Sequence, residues 1–283
     1  MMQKLFNKIL VPVDFTSGSR GLLEKAAEIA MEYDCSIRLL HVVPLHAGPS
    51  FDVGTGGIMI PLEVIDAKKE LELKMHKLSA FIPFIQKDAL QQGFSIVKGT
   101  WNEVIIDMVN HDNYDLVLIG QKGGLLHKRN LYVNLDKIAE NTNIPVITAP
   151  VNRRLTKLYS IVIPVTDFLP LRKLIYGIYL AHNYNTTLKL LGIENIKTKS
   201  KVEYYLKKAC SLVNENCDLP VELEMVVSDN VAHAVSEFAN LHAADLIIVN
   251  PGTQTSMPGF FSKLFGNILQ KYSAPPVLTI NPA

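Results

Sequence analysis

The sequence predicts an α/β protein of two tandem domains, each a five-stranded parallel sheet flanked by helices. Three observations carry this expectation. Short β-rich apolar runs alternate with helically spaced apolar stripes along the chain. Four segments recur in the same order in both halves: "KILVPVDF" and "SIVIPVTDF", "CSIRLLHV" and "TTLKLLGI", "YDLVLIG" and "ADLIIVN", "NIPVITAP" and "APPVLTIN". Their period, about 130–150 residues, is that of a whole domain and not of a solenoid unit. The 283 residues also suit two domains at roughly 100–200 residues each. The domains are placed at 1–150 and 155–283, with "VNRRLTK" at 151–157 as a short polar linker.

In chain order, Ile9–Val13 is the first strand, continuously apolar as a strand buried on both faces should be. Leu22, Leu23, Ala26, Ala27, Ile29 and Ala30 then place apolar groups on one helical face. Ile37–Val43 is the second strand, and "FSIVKG" after Gly93 is the third. Val104, Ile105, Met108 and Val109 stripe a helix before Leu116–Ile119, the fourth strand. Leu135, Ile138 and Ala139 mark a further helix, and Val146–Thr148 the fifth strand. The second half repeats this, with Val231, Val235, Phe238 and Ala239 striping the helix before Leu246–Val249. Strands joined through helices imply parallel pairing by right-handed crossovers.

Composition excludes several classes. Hydrophobic residues make up 48% and charged residues 19%, enough to bury sizeable cores and too apolar for a disordered chain. A net charge of +1 gives no footprint for nucleic acid. Three scattered cysteines, Cys35, Cys210 and Cys217, form neither a disulfide framework nor a CxxC pair. The apolar run at the N-terminus is too short for a signal-peptide core, and no run approaches the roughly 18–20 residues of a membrane span. The expectation is a cytoplasmic protein without membrane contact.

Parallel sheets bind ligands beyond the carboxyl ends of their strands, at the switch point. Asp14 and Gly120 each follow an apolar strand at that edge. Gly120 begins "GQKGGLLHKRN", where glycines could let a phosphate approach the backbone. Two readings stay open for Gly120: a strand exit at positive φ, or a phosphate contact. Asp14 reads as a ligand contact or as a turn or helix-cap carboxylate.

At this point a resemblance becomes specific. "ILVPVDFTSGSRGLLEKAAEIA", "YDLVLIGQKGG" and "LDKIAENTNIPVIT" resemble, in order, the opening, the fourth strand with its Gly-x-x-Gly loop, and the last helix and strand of the universal stress protein family. The resemblance covers the chain twice, as in a tandem member. It implies an adenine nucleotide α-hydrolase-like, Rossmann-like fold, with the last strands, Val146–Thr148 and Val277–Ile280, meeting at a pseudo-twofold as in family dimers. Some members bind ATP and others do not. In those that do, an Asp after strand one contacts the adenine or ribose end, and Gly-x-x-Gly, nine residues, Gly-Ser/Thr wraps the phosphates.

Carried over, the resemblance implies Asp14, Val42, Gly120, Gly123 and Asn134 as the nucleotide contacts of the first domain. The final Gly-Ser pair is missing, because Val133 and Asn134 stand in its place. Asn134 reads first as the cap of the following helix and second as an amide donor to phosphate. Lys128 and Arg129 read as a solvated face before they read as phosphate partners. The second domain departs further. Thr166 stands where Asp is expected, unless Asp167 substitutes by a slip of one, and Asn250 replaces Gly120. Asn tolerates positive φ, so Asn250 is expected to keep the turn without the close approach.

Other constellations are weaker. "FDVGTGGIMIP" at 51–61 is not a dinucleotide fingerprint and reads as a flexible loop, a candidate lid over the edge. His233 and His242 lie nine apart on a helix and show no metal-ligand spacing. No paired base and nucleophile is visible, so an enzyme is not expected. Three function classes remain: a stress or regulatory module with at most weak ATP binding in the first domain, a ligand-free dimerisation scaffold, or a binder of another small apolar molecule. A protein partner and homodimer formation stay open.

Overall fold

Strands form where β-branched and leucine side chains run together, and helices where such residues recur every three or four positions. The computed structural model describes residues 4–15, 17–43, 50–52, 57–59, 69, 72–74, 76–77, 93–120, 133–150, 153, 155–181, 184–195, 198–252, 254–255 and 275–282. The first half contains β1 (Lys8–Pro12), α1 (Ser17–Tyr33), β2 (Ser36–Val43), β3 (Ser50–Asp52), β4 (Gly57–Met59), β5 (Phe94–Lys98), α2 (Trp101–Asp112), β6 (Leu116–Gly120), α3 (Leu135–Thr142) and β7 (Val146–Ala149). The second contains β8 (Ser160–Val165), α4 (Leu171–Ala181), β9 (Thr187–Glu194), α5 (Lys199–Asn216), β10 (Val221–Val227), α6 (Val231–Leu241), β11 (Leu246–Val249) and β12 (Val277–Thr279).

One ten-stranded sheet runs β10-β9-β8-β11-β12-β7-β6-β1-β2-β5. Within this sheet, every pairing inside a half is parallel. The halves join through β12 and β7, which pair antiparallel as Val277↔Thr148, Leu278↔Ile147 and Thr279↔Val146. The last strands therefore meet about a local twofold, as the resemblance implied. Thr148 Oγ1 adds a hydrogen bond to the Val277 carbonyl at 3.3 Å. Ile147 and Leu278, at the centre of the seam, are both buried. Burying two such side chains contributes roughly 1.5–3 kcal/mol each, more than the roughly 0.5–1.5 kcal/mol net of each ladder hydrogen bond. Apolar packing therefore dominates this short seam.

The sheet faces differ. One face carries a single core through both halves, with Ile9, Leu118, Ile147, Leu278, Ile248 and Ile163 beneath α1, α4 and α5. Across the local twofold, Phe6 stacks on Tyr176 (6.0 Å between ring centroids) and Tyr33 on Tyr179 (5.1 Å). The opposite face holds two separate cores, one around Leu10, Val42, Trp101 and Ile138, the other around Val162, Val235 and Phe238.

The repeat is visible in side-chain chemistry as well. Asp115, just before β6, accepts from the backbone N–H groups of Asn7 and Lys8 (2.9 and 3.1 Å). Asp245, just before β11, accepts from Tyr159 and Ser160 (2.8 and 3.1 Å). In each half a carboxylate takes up N–H groups at the start of the first strand, before its ladder with the fourth strand begins at Ile9↔Leu116 and Ile161↔Leu246.

Two expectations change. Residues 151–157 are not simply a polar linker, because Leu155 is buried in the core shared by both halves. The glycine-rich segment at 51–61 contributes to an antiparallel strand pair, with Ser50↔Met59, Phe51↔Ile58 and Asp52↔Gly57 in register. Its glycines read as loop residues, but the flanking Phe51, Ile58 and Met59 are strand formers.

Candidate functional site

Parallel pairing brings the carboxyl ends of β5, β2, β1 and β6 to one edge, and the chain reverses direction of travel across the sheet between β1 and β6. That is the crevice where such sheets take ligands. Asp14 stands there, half-buried, and accepts a hydrogen bond from Ser19 Oγ at 3.1 Å. Phe15 turns the chain off the sheet at φ +58°. Ser19 lies in the first turn of α1, where a carboxylate is also favoured by the helix dipole.

His41 is the neighbour that sequence reasoning missed. Its Nδ1 lies 2.8 Å from the Val13 carbonyl. A carbonyl only accepts, so Nδ1 carries the proton and the neutral ring keeps its lone pair on Nε2. Burial lowers the His41 pKa, against the Val13 hydrogen bond and the Asp14 charge, which raise it, and with Lys74, which lowers it. The ring packs 4.6 Å from Phe15 and edge-on, 5.8 Å, from Trp101. Trp101 begins α2 and is 5% exposed, and its Nε1–H has no acceptor among the described residues. A buried donor left unpaired costs about 1–3 kcal/mol. Gly99 precedes this turn at φ +156°, where a Cβ would come within 2.6 Å of Val104.

The other expected contacts divide. Val42 is buried in the first-half core, so its side chain serves packing, while β1–β2 pairing ends just before it at Pro12↔Leu40. Asn134 is the N-cap of α3: its Oδ1 accepts from Lys137 N at 3.0 Å, and its own N–H donates to Asn102 Oδ1 at 2.8 Å. The second bond ties α3 to the turn beside Trp101. Gly120 is the last residue of β6, paired with Ala149. It is not among the glycines at positive φ, which are Gly93, Gly99 and Gly252, so a left-handed strand exit does not explain it. Gly123, Lys128 and Arg129 lie outside the described residues.

The second-half edge is closed by its own side chains. Lys173, on α4 and 1% exposed, donates to the Pro164 carbonyl (2.5 Å) and to Gln254 Oε1 (2.9 Å). With no acid among these partners, burial pushes its pKa well below the usual lysine value. Gln254 Oε1 also accepts from Asn250 N (2.9 Å), and Asn250 Nδ2 donates to the Ile280 carbonyl (2.7 Å). Thr255 Oγ1 reaches the first half, donating to Asp136 Oδ2 at 2.7 Å. Asn250 does not hold a positive-φ turn; that conformation falls two residues later, at Gly252 (φ +81°). Glycine can take it without a Cβ penalty, which frees Asn250 to turn inward and bond. Thr166 is half-buried, and Asp167 is exposed and makes no hydrogen bond among the described residues.

His233 lies in α6 beside Glu237 (3.6 Å), whereas His242 is its C-cap and stacks on Phe238 (4.1 Å). No group of three metal-ligating side chains occurs among the described residues. Cys35, Cys210 and Cys217 are free, and burial pushes the Cys35 thiol up to about 12. No helix among the described residues is long and apolar enough to cross a membrane.

A five-stranded parallel α/β unit with an acid after its first strand, repeated about an antiparallel seam of last strands, defines a tandem Rossmann-like class built as an internal dimer. The particular family follows from the sequence: the universal stress protein family model matches residues 5–150, and the chain belongs to that family. Among solved structures, a universal stress protein from Archaeoglobus fulgidus DSM 4304 is similar over 98% of both chains, at 16% identity and a TM-score of 0.67. A functionally unknown protein from Pseudomonas aeruginosa PAO1 covers 98% of this chain and 93% of its own, at 15% identity and TM-score 0.55. A putative universal stress protein from Pseudomonas aeruginosa UCBPP-PA14 does so at 15% and 0.53. At these identities the likeness is one of fold. No curated protein matches the sequence.

Proposed function

We propose that this chain is a non-catalytic, cytoplasmic stress-response or regulatory module that takes an adenine nucleotide weakly, at the first-half edge only. The second domain, 155–283, is then a structural copy with a degenerate site. The observation that carries this reading is the contrast between the two edges. Asp14 and His41 stand at the first, and the Lys173–Gln254–Asn250 network fills the second. Family membership supports the stress-response role. The incomplete phosphate cradle supports weak affinity, since Asn134 spends its side-chain oxygen on its own helix.

An apolar ligand has a different place to go. A groove of about 840 Å³ lies between α4 and the end of α5, lined by Leu171, Ile175, Ile178, Leu212 and Leu219. It is separate from the Asp14 edge and favours the apolar-molecule reading only there.

Calorimetric titration of magnesium-ATP into the intact chain tests the main reading. The intact chain is needed because the halves share one core. One site per chain is expected, lost in Asp14→Ala and retained in Gln254→Ala. Binding that survives Asp14→Ala and is lost in Gln254→Ala would reverse the assignment.

A further inference from the structure

The two halves differ on the outer side of their first helices. Counted back from Ser36 and Thr187, which open the next strands, α1 and α4 correspond residue by residue, and buried Leu23, Ile29 and Ala30 match buried Leu174, Leu180 and Ala181. Two exposed positions do not match in chemistry. Arg20 and Glu24 form an ion pair one turn apart at 3.5 Å, with side chains 65% and 61% exposed. Their counterparts are Leu171 and Ile175, still 51% and 50% exposed. A single exposed leucine is ordinary. Here two apolar side chains follow one helical face, and with Ile178 on α4 and Leu212 and Leu219 they line the groove of about 840 Å³. The first half carries a charged pair at the same two positions, so the fold itself does not demand apolar side chains there.

Size and polar chemistry define the occupant. The groove falls within the roughly 300–1,000 Å³ of sites that take one small molecule. Among the described residues that line it there is one carboxylate, Asp218, and no base. The bases on the same stretches of α4 and α5 are engaged elsewhere. Arg172 donates to the Asn281 and Asn143 carbonyls, Lys173 to the Pro164 carbonyl and Gln254, and Lys208 lies over the Tyr204 ring. The other polar side chains of the groove spend a donor within the protein. Asn216 Nδ2 donates to the Leu212 carbonyl (2.8 Å), the Cys217 thiol to the Val213 carbonyl (3.2 Å), and the Tyr184 hydroxyl to the Glu32 carboxylate. What they leave for a ligand is chiefly accepting oxygen. An ammonium group offers three donors and no acceptor, whereas a carboxylate only accepts.

We infer that this groove binds an amphiphile with a single alkyl chain and a primary amine head, the chain against Leu171, Ile175 and Ile178 and the ammonium at Asp218. This names the ligand class for the apolar-molecule reading of the groove and rests on that reading, and it is independent of the nucleotide edge.

The test titrates hexylamine, octylamine, octanol and octanoate into the full chain at pH 7.5 by calorimetry, with thermal melts alongside. Octylamine is expected to bind once per chain and about tenfold more tightly than hexylamine, because two further methylenes leave water. Octanoate, whose charge repeats that of Asp218, should bind about tenfold more weakly than octylamine or not at all. Asp218→Asn should bring octylamine to the level of octanol. Leu171→Arg combined with Ile175→Glu installs the first-half pair at the same exposed positions, and it should abolish binding of all four without lowering the Tm. If the Tm falls, Asp218→Asn, a change on an exposed side chain, decides. Octanoate as tight as octylamine, or an amine preference that survives Asp218→Asn, overturns the inference and leaves the apolar-molecule reading standing. Binding indifferent to the change at Leu171 and Ile175 overturns both, as does failure of all four ligands to bind.

Discussion

Lys173→Met removes an amine that the fold keeps from solvent, and the consequence is a change in how stability depends on pH. In the folded chain the amine faces the Pro164 carbonyl and Gln254 Oε1, and burial depresses its pKa far below 10.5. The unfolded chain binds a proton at this lysine at any pH below 10.5, and the folded chain does not until the pH falls to the depressed value. Stability from this residue is therefore greatest above 10.5 and is lost as the pH falls towards the folded value. While the folded amine stays neutral, the slope is about 1.4 kcal/mol per pH unit. With the folded amine neutral throughout that range, lowering the pH from 8.5 to 7.0 costs the parent about 2 kcal/mol through Lys173 alone. The methionine variant lacks that slope, although it leaves the Pro164 carbonyl without this donor, which costs about 1–3 kcal/mol at every pH. The readout is the difference in unfolding free energy between parent and variant, from urea titrations at pH 7.0, 7.75 and 8.5. Ionisation of Cys35 on unfolding begins near the top of this window, but it is common to parent and variant and cancels in the difference. A difference that moves by about 2 kcal/mol, in favour of the parent at the alkaline end, is expected. A difference that stays constant across the window would mean that Lys173 is charged in the folded protein, and the account of the closed edge would fail with it.

Asp115→Ala and Asp245→Ala each strip a carboxylate from two backbone N–H groups, and each should cost about 1–3 kcal/mol in urea unfolding, with the double variant close to the sum because the sites are in different halves. Unequal costs would show that the repeat is one of sequence and not of chemistry. Asn134→Ala should cost about 1 kcal/mol of stability by loss of the α3 cap, with Asn134→Asp restoring most of it. A larger effect on magnesium-ATP affinity than on Tm would make Asn134 a ligand contact instead.

The strands and the repeat were legible because their signals are local and redundant. Ile9–Val13 and Leu246–Val249 are apolar over several consecutive residues, and the predicted helix faces, Leu22 to Ala30 and Leu135 to Ala139, are buried apart from half-buried Ala27. The Asp14 edge was legible for the same reason, as a carboxylate at the end of such a run. His41 was not, because a single polar residue near the end of "SIRLLHVV" looks like ordinary strand alternation. Its partners, Phe15 and Trp101, come from elements distant in sequence. Trp101, alone of its kind and one residue past a glycine-threonine turn, was the available hint. The closed second edge was further from reach, since Lys173 and Gln254 meet from 81 residues apart. Gly120 and Asn250 show a different limit: a glycine can serve φ, space or close approach, and sequence alone does not separate the three. Leu155 was hidden inside a basic run whose charge dominates its average.

The antiparallel seam of β7 and β12 bears on inheritance and on stoichiometry. In a pair of identical subunits every substitution appears twice, so a change that closes one edge closes both. Here the partners are stretches of one polypeptide, and Lys173 could arise without a counterpart opposite. Their encounter is intramolecular, so dilution does not part them, and the pairing holds at a single molecule per cell as at thousands. The arrangement lets one edge close without the other, and on the proposed reading it sets the nucleotide count at one per chain.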